Sequence, residues 1–308
     1  MKFTIKVPAT SANLGPGFDT LGLALDLWNE TTVTPATEFS VKVFGEGAGR
    51  VSSGKNNLII RAAQRLAERA GKSLQPFRAE CMNAIPLSSG MGSSSAAILT
   101  GLMAGNALLE NPFSREHILN LASEMEGHPD NVAPAMLGGL VVSTMDGGNV
   151  IARKIVGTDR DPRLHITIAL PDFYLPTKQA RAALPKKISM KNAVHNISRT
   201  ALVVEAFRTG DMDLLGKAMI DKIHQHYRLK LIPGAQSAME AAKEAGASAV
   251  ALSGAGPGVI AFSSKAEAGI PQGDVIGESM RRAFETAGLQ ARIFNLGVSS
   301  RGAEIQLR

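Results

Sequence analysis

Residues 86–96, Pro86-Leu87-Ser88-Ser89-Gly90-Met91-Gly92-Ser93-Ser94-Ser95-Ala96, set glycines and hydroxyl side chains directly before a long apolar segment. Gly90 and Gly92 allow close backbone approach and left-handed dihedrals. Ser93, Ser94 and Ser95 supply N-cap candidates and hydroxyl donors. The stretch that follows is rich in helix formers and stops near Asn111-Pro112. Its apolar residues Ile98, Leu99, Leu102, Met103, Leu108 and Leu109 cover much of a helical circumference, which predicts a buried helix. A small-residue loop at a helix N-terminus presents free N–H groups at the positive end of the dipole, and phosphate is the usual anion there. No Gly-Lys-Ser/Thr follows, so this is not a Walker A loop. Two further glycine-rich stretches accompany it: residues 8–19, Pro8-Ala9-Thr10-Ser11-Ala12-Asn13-Leu14-Gly15-Pro16-Gly17-Phe18-Asp19, and residues 253–258, Ser253-Gly254-Ala255-Gly256-Pro257-Gly258. Taken alone, the last fits a tight hairpin as well as a ligand-facing platform.

The elements that must hold these loops follow from periodicity. Alternation predicts strands at 3–7, 31–34 and 39–44, with a buried apolar segment at 21–27. Helical spacing predicts a helix over 58–70, closed by Gly71. A strand at 78–85 would feed the phosphate loop. A second helix is expected over 114–126 with Ser114 as N-cap, then a short helix at 132–136 and a Gly-Gly-interrupted strand at 137–145. Asp146-Gly147-Gly148 marks a turn. Further on, strands are expected at 163–170, 249–252, 259–263 and 291–297, with helices at 178–184, 191–209, 211–221, 234–245 and 277–287. This mixture predicts an α+β protein of two domains, residues 1–160 and 161–308, with the boundary near 155–163.

Composition narrows the function. The 308 residues are 44% hydrophobic and 19% charged, a folded chain and not a disordered one. The net charge is +6, but the basic residues are scattered among acids and aromatics make up only 5%, which argues against a nucleic-acid partner. Cys81 is the only cysteine, so no intramolecular disulfide forms. No apolar run is long enough for a membrane span, and residues 1–6 alternate like a strand without a signal-peptide core. A cytoplasmic protein with no membrane partner is expected. The six histidines include no HExxH and no cysteine partner, which argues against zinc.

The loop at 86–96 resembles the phosphate loop of the GHMP kinases, the superfamily of galactokinase, homoserine kinase, mevalonate kinase and phosphomevalonate kinase. Met91 stands where that pattern prefers Leu, a nearly volume-conserving exchange. The three glycine loops also come in that superfamily's order. Within it the chain is most similar to the homoserine kinases, over nearly all its length. The runs that carry this are residues 8–19, Glu126-Gly127-His128-Pro129-Asp130-Asn131-Val132-Ala133-Pro134, Thr177-Lys178-Gln179-Ala180-Arg181, and His226-Tyr227-Arg228 ahead of Ile232-Pro233-Gly234.

The resemblance implies the two-domain GHMP kinase fold: an N-terminal domain like the second domain of ribosomal protein S5 and a C-terminal ferredoxin-like domain, with the site in the cleft between them. It implies ATP and Mg²⁺, and L-homoserine phosphorylated on its side-chain hydroxyl on the way to threonine. ATP would lie on Pro86, Ser89, Gly90, Met91, Gly92, Ser93, Ser94, Ser95 and Ala96, with the base near Asn57. The substrate would meet Asn13, Asp19, Asp130, Asn131, Arg181, Arg228 and Gly254. Arg181 and Arg228 suit the α-carboxylate, because a guanidinium fork matches two oxygens; Asn13, Asp19, Asp130 and Asn131 suit the ammonium. Mg²⁺ prefers oxygen ligands, so Glu126 with Ser93 or Ser94 is expected to hold it, Glu124 being the alternative acid. Asn131 stands where mevalonate kinase and galactokinase carry an aspartate base. No dedicated base is therefore expected, the substrate proton leaving late to phosphate or water, with Asp19 or Thr177 positioning the hydroxyl. Glu126, Asn131 and Thr177 are the expected catalytic residues, and His128 is expected to brace its loop. A homodimer is left open. So are a GHMP kinase acting on a related amino alcohol such as L-threonine, and a non-catalytic nucleotide-binding regulator.

Overall fold

The computed structural model describes residues 2–155, 164–264 and 272–307. The expected domain boundary at residues 160 and 161 lies outside the described residues.

The first sheet grows from the N-terminus. β1 (Phe3–Ala12) pairs antiparallel with β2 (Leu21–Pro35), a 15-residue strand. Sequence reading divides this strand in two, a buried apolar segment at 21–27 and a strand at 31–34, with an interruption between them. The structure explains the interruption: the β1–β2 register shifts between Pro8 and Ala9. A proline lacks the N–H a regular ladder needs, so a bulge is where it fits. On either side of the shift β2 takes different second partners. Residues 30–35 pair with β4 (Phe77–Asn83), and residues 21–23 pair with β5 (Leu140–Asp146). β3 (Ser40–Gly45) lies parallel to β4, and β6 (Asn149–Ile155) completes a hairpin with β5 through Gly147 and Gly148.

Four helices belong to this half. α1 (Leu58–Arg69) is capped by Asn57, whose Oδ1 accepts from Ile59 N at 2.9 Å. α2 (Ser93–Leu108) is buried around most of its circumference, as its apolar pattern requires. α3 (Arg115–Glu126) starts at Ser114, whose hydroxyl accepts from His117 N. α4 (Val132–Leu137) is short and buried.

The second sheet is antiparallel throughout, in the order β10-β7-β9-β8: β7 (Leu164–Pro171), β8 (Ala249–Leu252), β9 (Val259–Ser264) and β10 (Ala291–Leu296). Between β7 and β8 come α5 (Thr177–Ala182), α6 (Met190–Thr209), α7 (Met212–Ala218), α8 (Gln225–Arg228) and α9 (Ala235–Glu244); α10 (Gln272–Thr286) joins β9 to β10. A sheet of order 4-1-3-2 with helical connections after its first and third strands is the ferredoxin-like arrangement. Period-2 alternation divides its side chains between two cores. Val259 and Ala261 face α9 and α10, whereas Ile260 and Phe262 join the large core shared with the first sheet and α6. Phe262 meets Phe207 of α6 edge-on at 5.5 Å. The two sheets are thus joined through packed apolar surface.

The chain ends by returning: β11 (Glu304–Leu307) pairs antiparallel with β1, with Ile5 opposite Ile305. β6, α8, the 3₁₀ turn at Leu229–Leu231 and β11 are the described elements that periodicity does not announce. Each is short or pairs at an edge, where burial is partial. Among the described residues no helix is long and apolar enough to cross a membrane.

Candidate active site

The three glycine-rich loops converge on one cleft of about 490 Å³. Their contacts are direct. Thr10 N donates to Met91 O at 3.1 Å. Ser253 Oγ donates to Gly90 O at 2.8 Å and lies 3.0 Å from Ser11 Oγ. Gly254 N donates to Ala12 O, and Asn13 Nδ2 donates to Gly254 O at 2.8 Å. The approach is close enough to exclude side chains. A Cβ at Gly90 would lie 2.0 Å from Ser253 O, and one at Gly92 would lie 2.0 Å from Thr10 Oγ1; both glycines have positive φ.

Gly92 is the N-cap of α2 and offers no side-chain acceptor. The first intrahelical bond runs from Ala96 N to Gly92 O, leaving the amides up to Ser95 ahead of it. With the helix dipole behind them, these amides have the chemistry to seat an anion. Ser89 stiffens the loop by donating to Pro86 O and accepting from Met91 N.

Beside the third loop the arrangement suits a small zwitterion. Arg181, in the last turn of α5, holds Asp19 through both Nη atoms at 2.8 Å each. Arg228, at the end of α8, is 1% exposed. Its Nη1 donates to His224 Nδ1 (3.1 Å) and Gly254 O (3.3 Å), while its buried Nε–H has no partner. Burial and the neighbouring Arg181 lower its pKa to about 10. Arg228 also lines the cleft, where a guanidinium suits an anionic ligand.

Asp130, 1% exposed, receives His128 Nδ1 at 2.5 Å. Burial is the largest influence and opposes charge on that ring, but the Asp130 hydrogen bond together with the negative charges of Asp130, Glu126 and Asp19 outweighs it and raises the histidine pKa. Asn131 Oδ1 accepts from Thr10 Oγ1 at 2.8 Å, which leaves its NH₂ as the free donor. Glu126, the last residue of α3, accepts from Ser94 Oγ at 2.5 Å beside the start of α2.

Two family models match the chain: the GHMP kinases N terminal domain over residues 57–139 and the GHMP kinases C terminal over residues 203–270. A homoserine kinase of Moorella thermoacetica is 44% identical over 98% of this chain and 99% of its own. The chain belongs to the homoserine kinase family. A homoserine kinase of a Synechocystis species is 40% identical over 99% of this chain and 98% of its own. Among solved structures, a homoserine kinase from Cytophaga hutchinsonii superposes with a TM-score of 0.84 at 30% identity, covering 99% of this chain and 97% of that one. The L. major mevalonate kinase in complex with R-mevalonate, at 17% identity and TM-score 0.70 over 96% of each chain, shares the fold.

Within this homoserine kinase fold the expected site residues are distributed unevenly. Asn13, Asp19, Asn57, Ser89, Gly90, Gly92, Ser93, Ser94, Glu126, Asp130, Asn131, Thr177, Arg181, Arg228 and Gly254 all line the cleft. Pro86, Met91, Ser95 and Ala96 are not among its lining residues. The Met91 side chain belongs to the core, its N–H is taken by Ser89, and Ala96 N is already bonded within α2. These four are buried. Asn57 spends its side chain on the α1 cap and on Ser52 O at 2.6 Å, so it orders the wall of the cleft. Glu124 turns away from the cleft to Arg65 and Arg69 of α1, at 3.0 and 2.8 Å. Sequence reading misses Asn29 and Thr31 of β2 and Thr100 of α2, which line the same cleft. Each lies in the middle of a regular element, with no local signal to separate it from a core polar residue.

Proposed function

We infer that this protein transfers the γ-phosphoryl group of ATP to the side-chain hydroxyl of L-homoserine, giving O-phospho-L-homoserine and ADP. The observation that carries the reading is one cleft lined both by an uncapped helix N-terminus and by a buried arginine. The first suits a polyphosphate, the second a carboxylate, and the carboxylates of Asp19 and Asp130 suit the ammonium of the same small molecule. The family membership agrees with this chemistry. The cytoplasm is the working compartment of the reading.

In the reaction an O–P bond forms from the substrate hydroxyl to the γ-phosphorus while the bond to the β-phosphate oxygen breaks. The transition state is loose, so positioning and charge stabilisation supply most of the rate. The α2 amides and the serine hydroxyls hold the phosphates. In this reading the Asn131 NH₂ holds the hydroxyl oxygen, with Thr177 lining the same cleft, and an amide removes no proton. The proton therefore leaves late, to phosphate or water. Mg²⁺ fits the oxygen donors at the head of α2: the Glu126 carboxylate with the hydroxyls of Ser93 and Ser94. One carboxylate plus phosphate oxygens is a usual set for that ion, which would neutralise phosphate charge.

The test is a coupled ADP-release assay over L-homoserine, L-threonine, L-serine and 4-hydroxybutyrate. Homoserine should give the highest kcat/KM. Arg228→Lys should lower that value by about a hundredfold, since a point charge replaces a fork. ATP turnover indifferent to every amino alcohol would refute the reading. A preference for threonine would favour the related-substrate alternative.

A further inference from the structure

Phe18 has no role in the reading above, yet its ring meets both arginines of the cleft. The guanidinium carbon of Arg181 stands 5.5 Å from the ring centroid and that of Arg228 stands 5.2 Å away. A third cationic candidate, the His224 ring, lies 5.2 Å from it but stays neutral, its pKa lowered to about 4 by burial. The tautomer follows from its partners: Nε2–H donates to Gly15 O at 2.8 Å, and Nδ1 accepts from Arg228.

Two guanidinium groups held near each other repel. Only Arg181 has a carboxylate on it; the hydrogen-bond partners of Arg228 are a neutral ring and a carbonyl. An aromatic face is a third way to stabilise a cation without adding a formal negative charge, because the ring quadrupole is negative over its face. A carboxylate in its place would compete with the substrate's own carboxylate for the arginines; a benzene ring does not.

The ring is also held in place. Pro16 O accepts from Asn196 Nδ2 and from Thr200 Oγ1 of α6, at 3.0 Å each, and Gly15 O accepts from His224. Thr20 N closes the turn onto Gly17 O. The loop carrying Phe18 is thereby tied to α6 and to the residue before α8, the same region that positions Arg228.

We propose that Phe18 is a positioning and specificity residue for the substrate carboxylate: its ring lets two arginines share one carboxylate and orients both toward it. This rests on the carboxylate-binding reading given above. Asp19 alone does not account for the arrangement, because it engages Arg181 and leaves Arg228 without a carboxylate. Phe18 as simple packing predicts that any side chain of similar volume serves.

The experiment compares L-homoserine with its carboxamide, which keeps the ammonium and hydroxyl but lacks the negative charge, in wild type and in Phe18→Leu, Phe18→Met and Phe18→Tyr. ATP-analogue binding and Tm confirm folding for each. In Phe18→Leu and Phe18→Met the selectivity for acid over amide should fall about tenfold, the size expected for a partly desolvated cation–π contact. The loss should appear in KM for homoserine more than in kcat, with KM for ATP unmoved. Phe18→Tyr should retain the wild-type selectivity. A folded Phe18→Leu or Phe18→Met with unchanged selectivity, or a Phe18→Tyr that behaves like Leu, overturns the proposal alone. A wild type that does not discriminate acid from amide overturns the carboxylate reading and the proposal together.

Discussion

Arg228 donates through Nη1 to Nδ1 of His224 at 3.1 Å, and both side chains are buried. A buried cation is stabilised here by a neutral ring, whose other nitrogen is fixed on Gly15 O. The consequence is a dependence of stability on pH. The His224 pKa is lowered from 6.5 to about 4, burial being the main cause. Below pH 6.5 the unfolded chain takes up this proton while the folded chain resists it. The contribution of neutral His224 is therefore complete above pH 6.5 and is lost as the pH falls toward 4, amounting to about 3 kcal/mol over that window. Urea melts at pH 7.5, 6 and 5 should show wild type losing more stability than His224→Gln. Parallel losses in the two proteins would contradict the assignment.

Gly90 packs directly on the third loop, its O accepting from Ser253 Oγ. Gly90→Ala sets a Cβ 2.0 Å from Ser253 O at a residue with φ of +76°. Neither atom can yield as a flexible side chain does. The strain alone costs of the order of 1–3 kcal/mol, and the loop must shift away from α2. Calorimetry should show an ATP analogue binding at least tenfold more weakly, together with a lower Tm. Lower Tm with unchanged nucleotide affinity would mean that the loop geometry does not matter for the phosphates.

Glu124 and Glu126 are two residues apart on α3 and face different partners. Glu126→Gln removes the carboxylate beside Ser94 and should lower kcat by about a hundredfold or more, with a higher Mg²⁺ concentration needed for half-maximal rate. Glu124→Gln breaks only half-exposed ion pairs with Arg65 and Arg69. Such pairs contribute little to stability, so its Mg²⁺ titration should match wild type. The reverse pattern would move the metal to the other acid.

Asn131 tests the absence of a base. Its carbonyl is committed to the Thr10 hydroxyl, so the amide donates toward the cleft. Asn131→Ala should reduce kcat/KM by about tenfold to a hundredfold through lost positioning. The pH–rate profile should contain no essential base that disappears when a single carboxylate is replaced. A limb abolished by one Asp or Glu substitution would identify a base after all.

The sequence by itself determined what is local. The glycine-serine run before α2, the Ser114 cap and the Gly-bounded turns all depend on neighbours within a few residues, so spacing and residue type suffice to read them. The apolar pattern around α2 foretold its burial because helix periodicity is intrinsic to the chain. Only tertiary structure decided what depends on distant partners. Which of Glu124 and Glu126 enters the cleft turns on Arg65 and Arg69 in another helix. That Met91, Ser95 and Ala96 are buried and stay out of the cleft lining follows from the core against which they close. The long strand β2 became a single element because Asp26 and Leu27 sit in a register shift between the partners of Pro8 and Ala9. The return of β11 to β1 and the meeting of Phe18 with Arg181 and Arg228 join segments some 160 or more residues apart. Contacts of that separation leave no periodic trace in the chain, because neither partner's neighbours need change for them to form.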